Sequence, residues 1–221
     1  MVRRRQSANL EGGPAYQARR EEIIAAAGRV FLEKGYQATT LKDIAAAIGM
    51  DRASLYYYFK SKQALFRAAT GAAVARNVKA AERVARGRGT PAEKIARIIA
   101  KLFESYTETD YPYMFIFLQE DVNRITDDPD DPWAREVTAL TRRYERAITG
   151  IIQRGAERGD FVLTGPPHVL TKAIIGMANW AHRWYRPEGK LTAAEIARVF
   201  AETLLLGLIP RAQLPKGSFR A

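Results

Sequence analysis

The 221 residues include no cysteine and only two histidines. The first absence excludes a disulfide framework, a thiolate metal site and a cysteine nucleophile. The second leaves His168 and His182 as the sole imidazoles, and neither stands in an HExxH-like pattern or beside a nucleophile motif. Long apolar runs are also missing, since no stretch approaches the roughly 18 residues that a membrane-spanning helix needs. The opening Met1-Val2-Arg3-Arg4-Arg5-Gln6 is basic like the start of a signal peptide, but Ser7 to Arg20 is small, polar and glycine-containing. A cytoplasmic protein without a membrane segment is expected. The acidic run Asp127-Asp128-Pro129-Asp130-Asp131 lacks the Gly–Glu frame of an EF-hand and reads as a solvated loop. Little remains with which to build a catalytic centre, so the chain is read as a non-enzyme with no cofactor and no metal.

Acidic residues are scarce in one part only. Residues 1–90 hold 17 Lys/Arg against 7 Asp/Glu, which leaves 18 against 17 for residues 91–221. Nearly all of the net charge of +11 therefore lies in the first part. Such asymmetry suits a region that faces phosphates, or else a merely solvated basic face. With 47% hydrophobic and 27% charged residues, the composition is that of a globular protein. Its length allows one or two domains, each able to bury a core.

What is present is helical patterning throughout. Residues 1–15, with Arg3 to Arg5, Gly12-Gly13 and Pro14, are too poor in apolar side chains to fold and read as a flexible basic arm. From about Tyr16 to Lys34, Ile23, Ile24, Ala27, Val30 and Phe31 recur at helical spacing before Gly35. Thr40 caps a short helix with Leu41, Ile44, Ala45 and Ile48 inward, Gly49 breaks it, and Asp51 opens the next, Arg52 to Phe59. Ser61 caps a fourth helix, Lys62 to about Arg86. Thr90-Pro91-Ala92-Glu93 is a capping box starting a helix to about Thr109. An aromatic-rich segment, Tyr111 to Asn123, follows. Further helices are expected over about Trp133–Arg158, His168–Tyr185 and, from a second capping box at Thr192–Glu195, to near Gly207. No strand pattern or repeat is found. The fold class is all-α with about nine helices.

Two short amphipathic helices joined by a glycine turn, Thr39 to Phe59, make a helix-turn-helix, whose second helix enters a major groove. In that second helix Leu55 and Phe59 face the core, while Ala53, Tyr56 and Tyr57 point away and Arg52 stands at its start. Tyrosines beside Arg52, Lys60 and Lys62 suit hydroxyl and ammonium contacts to phosphate, or else packing between helices, the reading preferred for Tyr58.

Residues 17–66 resemble the DNA-binding domain of the tetracycline-repressor (TetR) family. The resemblance rests on Gly35-Tyr36, Thr39-Thr40, Ile44-Ala45 and above all Leu55-Tyr56-Tyr57-Tyr58-Phe59-Lys60-Ser61-Lys62. Tyr58 departs from the histidine many members carry, and Asp51-Arg52-Ala53 falls where members vary with their operator. The resemblance implies that Thr40, or its neighbour Thr39, binds a phosphate at a helix N-terminus. It also implies that Arg52, Ala53 and Ser54 approach base edges, and that Tyr56, Tyr57 and Lys62 hold the backbone. Arg52 is the best candidate for sequence readout, through bidentate bonds to guanine. Arg3 to Arg5 would reach a minor groove or stay solvated.

The same resemblance makes the two last helices a homodimer interface, with Ile196, Val199, Phe200, Thr203, Leu204 and Leu208 as an apolar stripe. Two recognition helices then suit half-sites roughly 34–36 Å apart. The partners implied are double-stranded DNA, a second copy of the chain and a small effector. Phe103, Tyr106, Tyr113, Met114, Phe115, Phe117 and Leu118 are either ordinary core or the lining of an apolar pocket. Met177 to Leu191 resembles a TetR subgroup controlling fatty-acid or steroid catabolism, which implies an acyl-coenzyme A (CoA) effector. Arg154, Arg183 and Arg186 would be cations for its phosphates, with Asn179, Trp180 and Trp184 near the cavity mouth, or interface residues instead. The domains expected are the arm 1–15, a DNA-binding domain 16–66, and a ligand-binding and dimerisation domain 67–221.

Overall fold

A computed structural model describes residues 13–106, 113–120, 125, 128, 131–186 and 188–206. The arm with Arg3 to Arg5, Asp127 and Leu208 fall outside them. Nine α-helices and one 3₁₀ helix, and no strand, occur among the described residues. The chain forms two compact units, Met1–Arg76 with Asp110–Leu140 and Asn77–Thr109 with Thr141–Ala221.

The first unit holds α1 (Pro14–Lys34), α2 (Leu41–Ala47), α3 (Arg52–Tyr58) and the start of α4 (Lys62–Arg86), together with α6 (Tyr113–Gln119). Helix α1 begins two residues earlier than the hydrophobic pattern predicts, because Pro14 at its first position has a φ already suited to a helix. Its stripe of Ile23, Ala27, Val30 and Phe31 meets Leu41, Ile44, Leu55, Leu65 and Phe66 in one core. Helix α2 starts at a complete capping box: the Thr40 side chain accepts from Asp43 N, and the Asp43 carboxylate accepts from Thr40 N at 2.8 Å. Gly49, φ +63°, makes the turn to α3; a Cβ there would touch nothing, so the backbone angle alone requires glycine. Asp51 then caps α3, its carboxylate accepting from Ser54 N at 2.9 Å.

Among the described residues, Glu120, Ile125 and Asp131 make long-range polar contacts to the rest of this unit. Tyr36 N donates to Glu120 Oε1 at 3.2 Å, Gln63 Nε2 donates to Ile125 O, and Arg67 pairs with Asp131. Helix α6 packs on α1 through Ile116, a core residue of this unit.

The second unit contains the rest of α4, α5 (Pro91–Glu104), most of α7 (Pro132–Glu157), α8 (Pro167–Asn179), the 3₁₀ helix Trp180–Arg183 and α9 (Ala193–Leu206). Helix α5 buries Ile95, Ile98, Ile99, Leu102 and Phe103 and packs along α9. It ends at Glu104, short of the expected Thr109, where the Ser105 hydroxyl donates to Leu102 O at 2.6 Å and the backbone tightens into a turn. The helix expected to reach Tyr185 likewise stops at Asn179. His182 Nδ1 donates to Asn179 O at 2.6 Å, taking a carbonyl that a further α-turn would use, and the chain continues as 3₁₀. No helix among the described residues is long and apolar enough to cross a membrane.

Candidate nucleic-acid interface

Helix α3 contributes one fully buried side chain, Leu55, and leaves Arg52, Ala53, Ser54 and Tyr57 exposed. Seven residues holding so little core are poorly explained by packing. Beside α3 lies a concavity of about 580 Å³ lined by Thr39, Thr40, Leu41, Lys42, Arg52, Tyr56, Lys60, Ser61 and Lys62. Four of the nine are cationic and none is acidic. It is formed where the start of α2, the exposed side of α3 and the start of α4 meet.

The residues expected to touch DNA divide by what already holds them. Thr40 is exposed at the rim, and its hydroxyl also donates to Asp43 Oδ2 at 2.5 Å. Lys34 Nζ donates to Asp43 Oδ1 at 2.8 Å; with Thr40 it holds that carboxyl well below the usual carboxylate range. Thr39, by contrast, is only 1% exposed, and its hydroxyl donates to Gly35 O at 2.7 Å. Its visible work is to close the loop between α1 and α2. Lys62 Nζ donates to Tyr36 O at 2.8 Å and Gln37 O at 3.2 Å and lies over the Tyr36 ring. Burial pushes its ammonium pKa down. Two of its three N–H bonds are thus committed within the protein.

Arg52 Nη2 donates to Tyr56 Oη at 3.0 Å, and the guanidinium carbon lies 5.3 Å from the Tyr56 ring centre. Tyr56, expected to point away from the core, is half-buried and packs its ring against it. Ser54 Oγ donates to Asp51 Oδ2 at 2.6 Å, and with the Ser54 N–H this lowers the Asp51 pKa. Tyr57 is 43% exposed; its ring meets Tyr16 and Tyr58 edge-on, while Tyr58 stacks on Tyr16 at 4.9 Å. Lys60 is exposed and donates to Tyr56 O at 3.0 Å at the end of α3. Lys42 is the cleft cation that the sequence reading passed over; its place two residues after a helix cap was the available signal.

The residues expected to bind an effector are drawn from both units. Phe103 and Tyr106 are fully buried in the second unit, where Phe103 contacts Tyr185 and Phe200 and burial pushes the Tyr106 hydroxyl pKa up. Tyr113, Met114 and Phe117 belong to α6 in the first unit. Arg154 lines a cleft of about 330 Å³ with Lys94, Ile151, Glu157 and Arg158. Asn179, Trp180, Arg183 and Trp184 cluster at the 3₁₀ turn; Trp180 is 59% and Trp184 47% exposed, and the Arg183 guanidinium lies over the Trp180 ring at 4.8 Å.

Comparison with known proteins places this geometry. The family described as bacterial regulatory proteins, tetR family, matches residues 23–69, and the tetracyclin repressor-like C-terminal domain matches residues 88–208. The transcriptional repressor KstR2 of Rhodococcus jostii is 28% identical over 192 residues, covering 86% of this chain and 91% of that protein. KstR2 of Mycolicibacterium smegmatis is 25% identical over 191 residues, with the same coverages. Among solved structures, the TetR family regulator PfmR from Thermus thermophilus is 30% identical with a TM-score of 0.75, covering 85% of this chain and 99% of that one. The complex of AibR with isovaleryl coenzyme A and operator DNA has the same fold, with a TM-score of 0.73 at 21% identity, covering 85% and 98%. These relatives are regulators, not enzymes. The helix-turn-helix lies within the N-terminal match and the C-terminal match spans more than half of the chain, so the protein belongs to the TetR family of transcriptional regulators.

Proposed function

We propose that the chain is a cytoplasmic repressor that binds a palindromic operator as a homodimer and leaves it when a small hydrophobic effector, an acyl-CoA thioester, is bound. Residues 16–66 serve as the DNA-binding domain and residues 67–221 as the ligand-binding and dimerisation domain. The observation that carries the reading is the cationic cleft beside the exposed side of α3. Phosphate contacts there fix the register of the helix, and base contacts from Arg52, Ala53 and Ser54 supply the preference. Thr40, Lys42, Tyr57 and Lys60 are the groups best placed for the backbone. Tyr56 and Lys62 contribute from positions already fixed by the protein.

Dimerisation draws support from apolar side chains left exposed on the last helices. Val169, Ala173 and Gly176 recur at helical spacing on the exposed side of α8, Trp180 follows exposed in the 3₁₀ helix, and Val199 and Leu206 are exposed on α9. The inner part of the expected stripe, Ile196 and Phe200, packs within the second unit instead. The effector class draws support from the isovaleryl-CoA complex of AibR and from exposed Trp180, Arg183, Trp184 and Arg186, which offer stacking and charge to a phosphorylated, partly apolar ligand.

Selection of genomic fragments by the purified protein at a stated near-physiological salt tests the reading, followed by challenge with a panel of acyl-CoA thioesters, free CoA and free acids. A shared palindrome released by one thioester supports every part. A palindrome released by none of them removes the effector class, and the absence of any enriched sequence removes the operator.

A further inference from the structure

We infer that Tyr56 is a positioning residue for base readout by Arg52; the inference rests on the DNA-binding reading above. The pair is i,i+4 on α3, so both side chains rise from one face of the helix. Arg52 is exposed at the first helical position, and a free arginine there would sample many rotamers. Tyr56 differs in being anchored. Its ring packs against the core of the first unit, so Oη is a fixed point at the helix surface. The 3.0 Å bond from Arg52 Nη2 to that oxygen, with the guanidinium beside the ring, ties the mobile group to the fixed one.

Donor arithmetic shows that the tie leaves Arg52 competent. Nη2 carries two hydrogens, and only one is spent on Tyr56. The second lies in one of the two forks of the guanidinium, with Nη1–H or with Nε–H, and either fork offers the parallel pair that guanine O6 and N7 accept. Tyr56 Oη accepts in this bond, so its own proton is free for a phosphate oxygen or water. Ordering a long side chain at an interface costs free energy on binding, and a side chain ordered beforehand avoids much of that loss. The saving applies where Arg52 meets its matching base. It therefore appears as discrimination between sequences rather than as uniform affinity.

The test is a cycle of Arg52→Ala, Tyr56→Phe and the double variant in the full-length protein. Each is titrated against the selected operator and against versions changed at each G·C pair of a half-site. The readout is the affinity ratio between operator and changed operator at the position where Arg52→Ala lowers it. Tyr56→Phe keeps the ring and removes the hydroxyl. It is expected to lower that ratio by about 3- to 10-fold, in line with the ordering of one side chain, and to leave it unchanged in the Arg52→Ala background. Unchanged thermal unfolding of Tyr56→Phe confirms that the fold is not the cause. Two results overturn the inference while sparing the operator: an equal affinity loss on all sequences, which makes Tyr56 a phosphate contact only, or the same ratio loss in both backgrounds. If Arg52→Ala changes no ratio, Arg52 reads no base and the inference falls with that role. A wild-type protein without sequence preference overturns the DNA-binding reading as well.

Discussion

Gly155 in α7 illustrates how a single residue sets the packing of the second unit. A Cβ built there would fall 2.4 Å from Phe161 Cδ2 and 3.0 Å from Pro91 Cβ, so the helix can meet the ring and the start of α5 only without a side chain. Alanine would gain about 1 kcal/mol in helix propensity, but overpacking costs roughly 1–3 kcal/mol. The proline is rigid, so the clash should win. Gly155→Ala is expected to lower stability by about 1 kcal/mol, measured by urea unfolding, and a variant as stable as wild type would contradict the close approach. The committed hydrogen bonds of Thr39 and Lys62 are another residue-scale lesson. Both types suit a phosphate site, and the sequence contains no sign that Gly35, Tyr36 and Gln37 carbonyls claim them first.

Among the elements, those with complete local signals were legible in advance. The caps at Thr40, Asp51, Thr90 and Thr192 are all present, because the partners that make a cap lie within four residues of one another. Helix α4 spans Lys62 to Arg86, the bounds expected from Ser61 at its start and from Gly87-Arg88-Gly89 after its end. Helix α6 has no distinctive signal in the sequence, since seven mostly apolar residues fit more than one pattern. The ties from Glu120, Ile125 and Asp131 to Tyr36, Gln63 and Arg67 were invisible, as they join residues 62 to 84 positions apart. The cap of α2 also carries a pH signature. The Asp43 pKa is held down by Lys34 and Thr40, so the folded state favours the carboxylate. Its contribution is complete above the unfolded value of about 3.9 and is lost as pH falls through the lower folded value. Asp43→Asn should melt below wild type at neutral pH, and the gap should close on acidification. A gap that widens in acid would contradict the assignment.

For the molecule as a whole, the partition of charge agrees with the partition of roles proposed above. The basic excess lies in residues 1–90, and the cleft beside α3 gathers four of its cations, Lys42, Arg52, Lys60 and Lys62. Removing one phosphate contact per protomer from the proposed dimer should reduce the slope of log affinity against log salt by about 2. Lys60→Ala is expected to do so on every DNA sequence alike, measured by titration over a range of salt; an unchanged slope would place Lys60 away from the backbone. The most direct test of the central claim is photo-crosslinking of the intact protein to its selected operator, with a photoreactive amino acid at Ala53, exposed on α3, or at Val199, exposed on α9. Covalent DNA adducts are expected from position 53 within a half-site and none from position 199. DNA adducts from position 199 alone would mean that this helix-turn-helix is not the surface that meets DNA.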